Sequence, residues 1–173
     1  YTIVETTVNS LKELGAEPFI VSAMGSHGGG TEEGQREVLA GYGITEERLG
    51  VPVVTTVDTV YLGNCANGRP VWFDRAAYEA DLIVPINRVK LHTDFVGPIQ
   101  SGLCKMLVIG LGNHKGCSAV HEEAPEVFAD AIEETARLIL QKAPVGFGIA
   151  ILENAYDKTY AVEAVPAEHL VER

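Results

Sequence analysis

Apolar positions along this chain recur with two periods, and stretches of each kind alternate. Ile3, Val4, Val8, Leu11 and Leu14 fall at helical spacing, with Gly15 as a stop signal. Phe19-Ile20-Val21 reads as a short buried strand running into a turn from Gly25 to Gly30. Thr31 with Glu32 and Glu33 reads as an N-cap and acidic first turn, opening a helix that stops near Gly41 to Gly43. Thr45 to Leu49 forms one helical turn, and Val51 to Thr56 and Val60 to Leu62 have the look of strands. Asn67-Gly68 is a hairpin signal leading into a strand from Pro70 to Phe73, and Arg75 to Ala80 is a short helix. Leu82 to Ile86 reads as a buried strand whose carboxyl end delivers Asn87, Lys90 and His92. Leu103 to Leu111 reads as a helix between Gly102 and Gly112, followed by an exposed turn carrying His114.

The clearest helix is Glu126 to Lys142, with Phe128, Ile132, Ala136 and Ile139 as its stripe and Pro144 beyond its end. His121 comes near its start. Val145 to Leu152 and Tyr160 to Val165 read as strands, and Pro166 to Arg173 starts a last helix. Strands alternating with helices predict an α/β fold, a layered sheet with helices on its faces and a β-hairpin insertion around Asn67-Gly68. No repeat or low-complexity linker divides residues 1–173, so a single α/β domain is expected.

Composition narrows the function. The chain has 173 residues, 46% hydrophobic and 21% charged, which suits a globular core. A net charge of −11 argues against nucleic acid as a partner, because phosphate contacts need clustered Lys and Arg. It leaves room for a small anionic ligand, which needs only local positive charge. No apolar run approaches the roughly 18 residues of a membrane helix, and no basic-then-apolar leader opens the chain. Three cysteines without a CxxC pair point to a reducing, cytoplasmic setting. The chain opens at Tyr1 directly in a helical pattern. That suggests a piece of a longer two-domain protein, with part of the site on a missing flanking domain of the same chain.

Candidate chemistry gathers in two stretches, Met24 to Thr31 and Asn87 to His121. His27 sits on a strand-to-helix connection, where α/β proteins place ligand sites. A loop histidine bonded to nearby backbone is an equally common outcome. Gly28, Gly29, Gly30 and Thr31 precede a helix and offer backbone N–H groups to a phosphate, although the spacing matches neither common glycine-rich phosphate motif. His92 lies just past a strand, with Asp94 placed to orient its ring or simply to be solvated. Lys105 stands in an apolar run and either snorkels to water or forms an adduct or anion contact. His114 and His121 follow. Cys104 and Cys117 are possible soft metal ligands, but buried unreactive thiols are commoner. Imidazole acid–base or metal chemistry in an active-site domain accounts for this set of residues.

The two blocks MGSHGGGTEEGQREVL and NRVKLHTDFVGPIQSGLCKMLVIGLGNHKG resemble the nickel-dependent lactate racemase family, over most of residues 15–165. The resemblance implies a racemase or epimerase of a small, lactate-like 2-hydroxy acid. Its cofactor would be a nickel-pincer nucleotide, tethered to a lysine and receiving hydride from the substrate carbon. Carried over by position, His27 and His92 resemble the catalytic histidines that act as general acid and base. Lys105, after Ser101-Gly102, resembles the tethering lysine. His121, 16 residues beyond it (121 − 105), resembles the nickel ligand, and Gly110 falls where the family has a glycine. Gly28 to Thr31 is the candidate seat for the cofactor phosphate. Two features depart from the family: Leu103-Cys104 stand where the racemases carry small glycines, and the His92-to-Lys105 interval is longer. These departures motivate a second reading, a non-catalytic module binding a cofactor, phosphate or metal. A third, metal-assisted hydrolysis by His114, His121 and Glu122, lacks any matching motif.

Overall fold

The computed structural model describes residues 1–91, 97 and 99–172. Helix α1 (Thr2–Glu13) turns its Val8 into a small core with Ile44, Leu49 and Val51. Strand β1 (Ile20–Val21) pairs in parallel with β2 (Val53–Val54), with Ile20 opposite Val53. Between them run α2 (Glu32–Gly41) and the single turn α3 (Glu46–Leu49), whose side-chain caps are Thr31 and Thr45. Strands β3 (Thr59–Asn64) and β4 (Pro70–Asp74) form the expected hairpin, with a bulge between Tyr61 and Gly63. Helix α4 (Arg75–Tyr78) follows, capped by the Asp74 carboxylate.

The second half packs around α7 (Phe128–Lys142). Ile132, Ala136 and Ile139 on its inner stripe are fully buried against Leu107, Val108, Val71 and Phe73. Strand β6 (Phe147–Glu153) lies between β5 (Ile86–Val89), parallel to it, and β7 (Thr159–Pro166), antiparallel. The α/β class therefore stands, with the strands divided among three small sheets among the described residues. No helix among those residues is long and apolar enough to cross a membrane.

Four elements differ from the sequence reading. The regular strand begins only at Ile86, so Asn87 lies within it; before that, Ile83 alone bridges to Val145. Pro85 has no N–H to continue the ladder. The stretch after Gly102 starts as helix α5 (Gly102–Lys105) and widens into a π turn (Met106–Gly110), where the Leu111 N–H donates to the Met106 carbonyl at 2.9 Å. Such turns often mark functional sites. The expected exposed turn around His114 is instead the start of α6 (Asn113–His121), and His121 closes that helix rather than opening α7. At the carboxyl end a 3-10 turn (Ala167–His169) stands where a longer helix was expected.

Candidate functional site

The histidine turn is held from beneath. Gln35 on α2 is fully buried. Its side-chain oxygen accepts from Ser22 Oγ at 2.5 Å, and its amide nitrogen donates to the Gly25 carbonyl at 3.2 Å. Gly28, Gly29 and Gly30 follow with φ of 65°, 68° and 65°, a left-handed turn that only glycine takes without strain. A Cβ on Gly34, in the first turn of α2, would lie 1.9 Å from the Gly28 carbonyl oxygen. The tight turn and the helix start are thus fitted to each other. The N–H groups of Gly30 and Thr31 donate back to the carbonyls of His27 and Gly28, and the Thr31 hydroxyl also reaches the Gly28 carbonyl. His27 itself is exposed, with its backbone N–H bonded to the Met24 carbonyl at 3.0 Å.

This turn lies on the π turn and on α6. The Gly25 N–H donates to the Gly110 carbonyl at 3.0 Å, and a Cβ on Gly110 would come within 2.7 Å of the Ala23 carbonyl oxygen. The His114 ring packs near Gly30, 3.5 Å from where a Cβ would stand, and its Nδ1 lies 3.3 Å from Ser118 Oγ. One turn along α6, Cys117 Sγ sits 3.9 Å from Ser26 Oγ and 3.5 Å from His121 Nδ1. The Cys117 carbonyl is 2.7 Å from that same Nδ1, so Nδ1 carries the proton and donates. The Nε2 lone pair of His121 is then left free on an exposed ring, steadied by the Phe128 ring edge at 5.1 Å between centroids.

The other two candidates stand on neighbouring elements. Lys105 is half-buried and ends α5, which packs against α7. His92 lies outside the described residues. On either side of the undescribed residues, Ser101 Oγ accepts from the Lys90 N–H at 2.7 Å and donates to the Lys90 carbonyl. The Asn87 side chain donates to the Gly102 carbonyl at 3.0 Å. Gly97 returns onto α7, where a Cβ would come within 2.2 Å of the Ala129 methyl, one residue from the Phe128 that touches His121. The turn bearing His27 therefore lies on α6, and the end of α6 and Gly97 both pack on the start of α7.

The profile of the lactate racemase N-terminal domain matches residues 1–131 of the 173. The chain belongs to the lactate racemase N-terminal domain family. The structure of the lactate racemase apoprotein from Thermoanaerobacterium thermosaccharolyticum superposes with a TM-score of 0.64 at 17% identity, covering 90% of this chain. That similarity is one of fold. The chain spans 39% of the length of that racemase structure. Comparison with curated proteins returns no match.

Among the described residues of this lactate racemase-type domain, no group of three or more His, Cys, Asp or Glu side chains is placed to hold a metal ion. What α6 offers is one oriented imidazole, with its second nitrogen fixed by a backbone carbonyl as metal-binding histidines commonly are. Sequence alone favours an inert thiol at Cys117 and gives no hint that its carbonyl and sulfur both address His121. The signal is their i, i+4 spacing, which has meaning only once residues 113–121 are a helix. Gln35 carries no signal, because burial of a glutamine is decided by its neighbours.

Proposed function

We propose that this domain is the cofactor-holding part of a racemase or epimerase of a small 2-hydroxy acid that uses a nickel-pincer nucleotide. The observation that carries the reading is the α6 geometry: His121 Nδ1 is tied to the Cys117 carbonyl, so Nε2 is presented as a ligand beside the turn that bears His27. Nickel accepts imidazole and soft sulfur donors, so a cofactor bringing its own sulfur atoms asks only one histidine of the protein. Lys105 is the tether and His121 the metal ligand. When bound, that cofactor supplies a hydride acceptor for the substrate carbon. His27 and His92 would handle the other half of the chemistry from opposite faces: one takes the substrate hydroxyl proton as the hydride leaves, and the other gives a proton to the carbonyl oxygen when the hydride returns to the opposite face. Imidazole suits this because it exchanges a proton near neutrality. Family membership supports this reading.

Among the donors available to the cofactor phosphate, the Gly30 and Thr31 N–H groups and the Thr31 hydroxyl are engaged within their own turn. The N–H groups of Gly28 and Gly29 are the part of that stretch we assign to the phosphate.

The test is intact-mass and nickel analysis of the complete polypeptide, produced together with cofactor-synthesis enzymes. A mass adduct at Lys105 with near-stoichiometric nickel is expected, and Lys105→Ala should lose the adduct. His121→Ala should lose nickel while keeping the adduct. An unmodified mass and no nickel, beside a positive-control racemase loaded in the same cells, would overturn the assignment in favour of a binding module without turnover.

A further inference from the structure

A cavity lies between two strand edges. On one side is the run through β1, and on the other the extended segment from Leu82 to Ile86. The inner face of α1 covers it with Val4, Val8 and Leu11. Met106 and Leu111 also line it.

Hydrogen bonding gives both walls an open edge. The N–H groups of Ile20 and Ser22 donate to the Pro52 and Val54 carbonyls of the β2 side, at 2.9 and 3.0 Å. N–H and C=O groups alternate in direction along a strand, so those of Val21 point the other way, into the cavity. Across it, the Ile83 N–H donates to the Pro144 carbonyl at 2.9 Å, and the Pro85 carbonyl accepts from the Ile149 N–H at 2.8 Å. The groups of Val84, between them, face the cavity in turn. Two sheet edges whose outward backbone groups find no strand partner among the described residues, facing each other across an apolar slot with a helix laid over it, have the form of a layered sheet lacking one strand.

The size agrees. From its rise per residue, its spacing to neighbours and the thickness of a sheet, a strand occupies roughly 160 Å³ per residue. The cavity measures about 820 Å³. About five residues fill it, an ordinary strand length.

We propose that an extended apolar segment of the same polypeptide, outside residues 1–173, inserts here as a central strand, joining β1–β2 to β5–β6–β7 in one continuous sheet. The solved racemase, of which this chain spans 39%, has ample further chain to provide such a segment. The strand would set the spacing of its neighbours at roughly twice 4.8 Å. Those neighbours lead to the His27 turn and, through β5, to Lys90. Both also end on one helical segment, through the Gly25 N–H to the Gly110 carbonyl and the Asn87 side chain to the Gly102 carbonyl. The inserted strand therefore fixes the separation of β1, which leads into the His27 turn, from β5.

Hydrogen exchange of the complete polypeptide, without cofactor or substrate, tests this independently of any catalytic role. The Val21 and Val84 amides should exchange as slowly as those of Ile20 and Ile83, about 100-fold or more slower than an open segment. Exchange of either at the rate of an open segment would overturn the proposal. Protection that vanishes on dilution to a monomer would also overturn it, since the strand would then come from a second copy.

Discussion

Replacing Gly34 by alanine sets two effects of opposite sign against each other. Gly34 is the third residue of α2, and in a helix alanine is favoured over glycine by about 0.5–1 kcal/mol. Local propensity alone therefore predicts a more stable protein. The tertiary contact predicts the reverse, because the new Cβ would stand 1.9 Å from the Gly28 carbonyl oxygen and 2.8 Å from its carbon. Both partners are backbone, so relief requires the turn to move by more than about 1 Å, roughly the shortfall from ordinary contact. That motion breaks the bonds which the Thr31 N–H and hydroxyl make to the Gly28 carbonyl. Overpacking costs about 1–3 kcal/mol and each lost hydrogen bond about 1 kcal/mol, which outweighs the propensity gain. The net effect is a loss of about 2–4 kcal/mol, or a Tm lower by at least roughly 4–8 °C for a domain of this size. Gly41 is the internal control: it ends the same helix, a Cβ added there would meet nothing within 4 Å, and its φ is not left-handed. Gly41→Ala should leave Tm unchanged or raise it slightly. Thermal unfolding followed by circular dichroism, on the three proteins side by side, reads both. An unchanged or raised Tm for Gly34→Ala would refute the fitted-turn argument.

Other expectations follow from buried polar groups. Arg69 is nearly buried and pairs with Glu123 at 2.5 Å and Glu134 at 2.8 Å, fastening the hairpin to α7. Its guanidinium, with the Asn67 amide, holds the Glu123 carboxyl below the usual range. That pairing stabilises the fold above the ordinary glutamate pKa and is lost as pH falls through the lowered value. Arg69→Ala should therefore lower Tm at neutral pH, with a gap to the parent that narrows in acid; a gap that stays constant into strong acid would contradict the pairing. Burial raises the Asp74 carboxyl, against the opposing bonds from the Ala77 N–H and the Asn113 amide. Here the sign reverses: the parent should lose stability relative to Asp74→Asn as pH rises from about 4 through the raised value, and parallel Tm curves for the two proteins would exclude it. Burial pushes the Cys104 thiol up to about 11, so at about pH 8 only about one molecule in a thousand is thiolate. Iodoacetamide should leave Cys104 unlabelled in the native protein and label it fully in urea, as read by peptide mass spectrometry. Rapid native labelling would show that α5 opens.

Local chemistry wrote much of this structure into the sequence. The Thr31 cap, the Asn67-Gly68 hairpin and the α7 stripe act within a few residues of themselves, so each is legible one segment at a time. The family is legible too, because the Ser-His-Gly-Gly-Gly turn and the block around Lys105 combine residue types that ordinary packing does not require. Tertiary contacts decided the rest. The Gly112–Gly116 stretch reads as a turn by composition, yet it folds as the start of α6. There Asn113 donates to the buried Asp74 carboxylate, and Gly116 lets the helix approach the Trp72 carbonyl, which would be 3.0 Å from a Cβ. The pairing of Cys117 with His121, and of both with the His27 turn, depends on that helix. Leu82 to Ile86 has the apolar content of a strand, but a strand also needs neighbours on its edges. Only one edge is paired among the described residues, and no run of residues can state from its own composition whether its second neighbour is present.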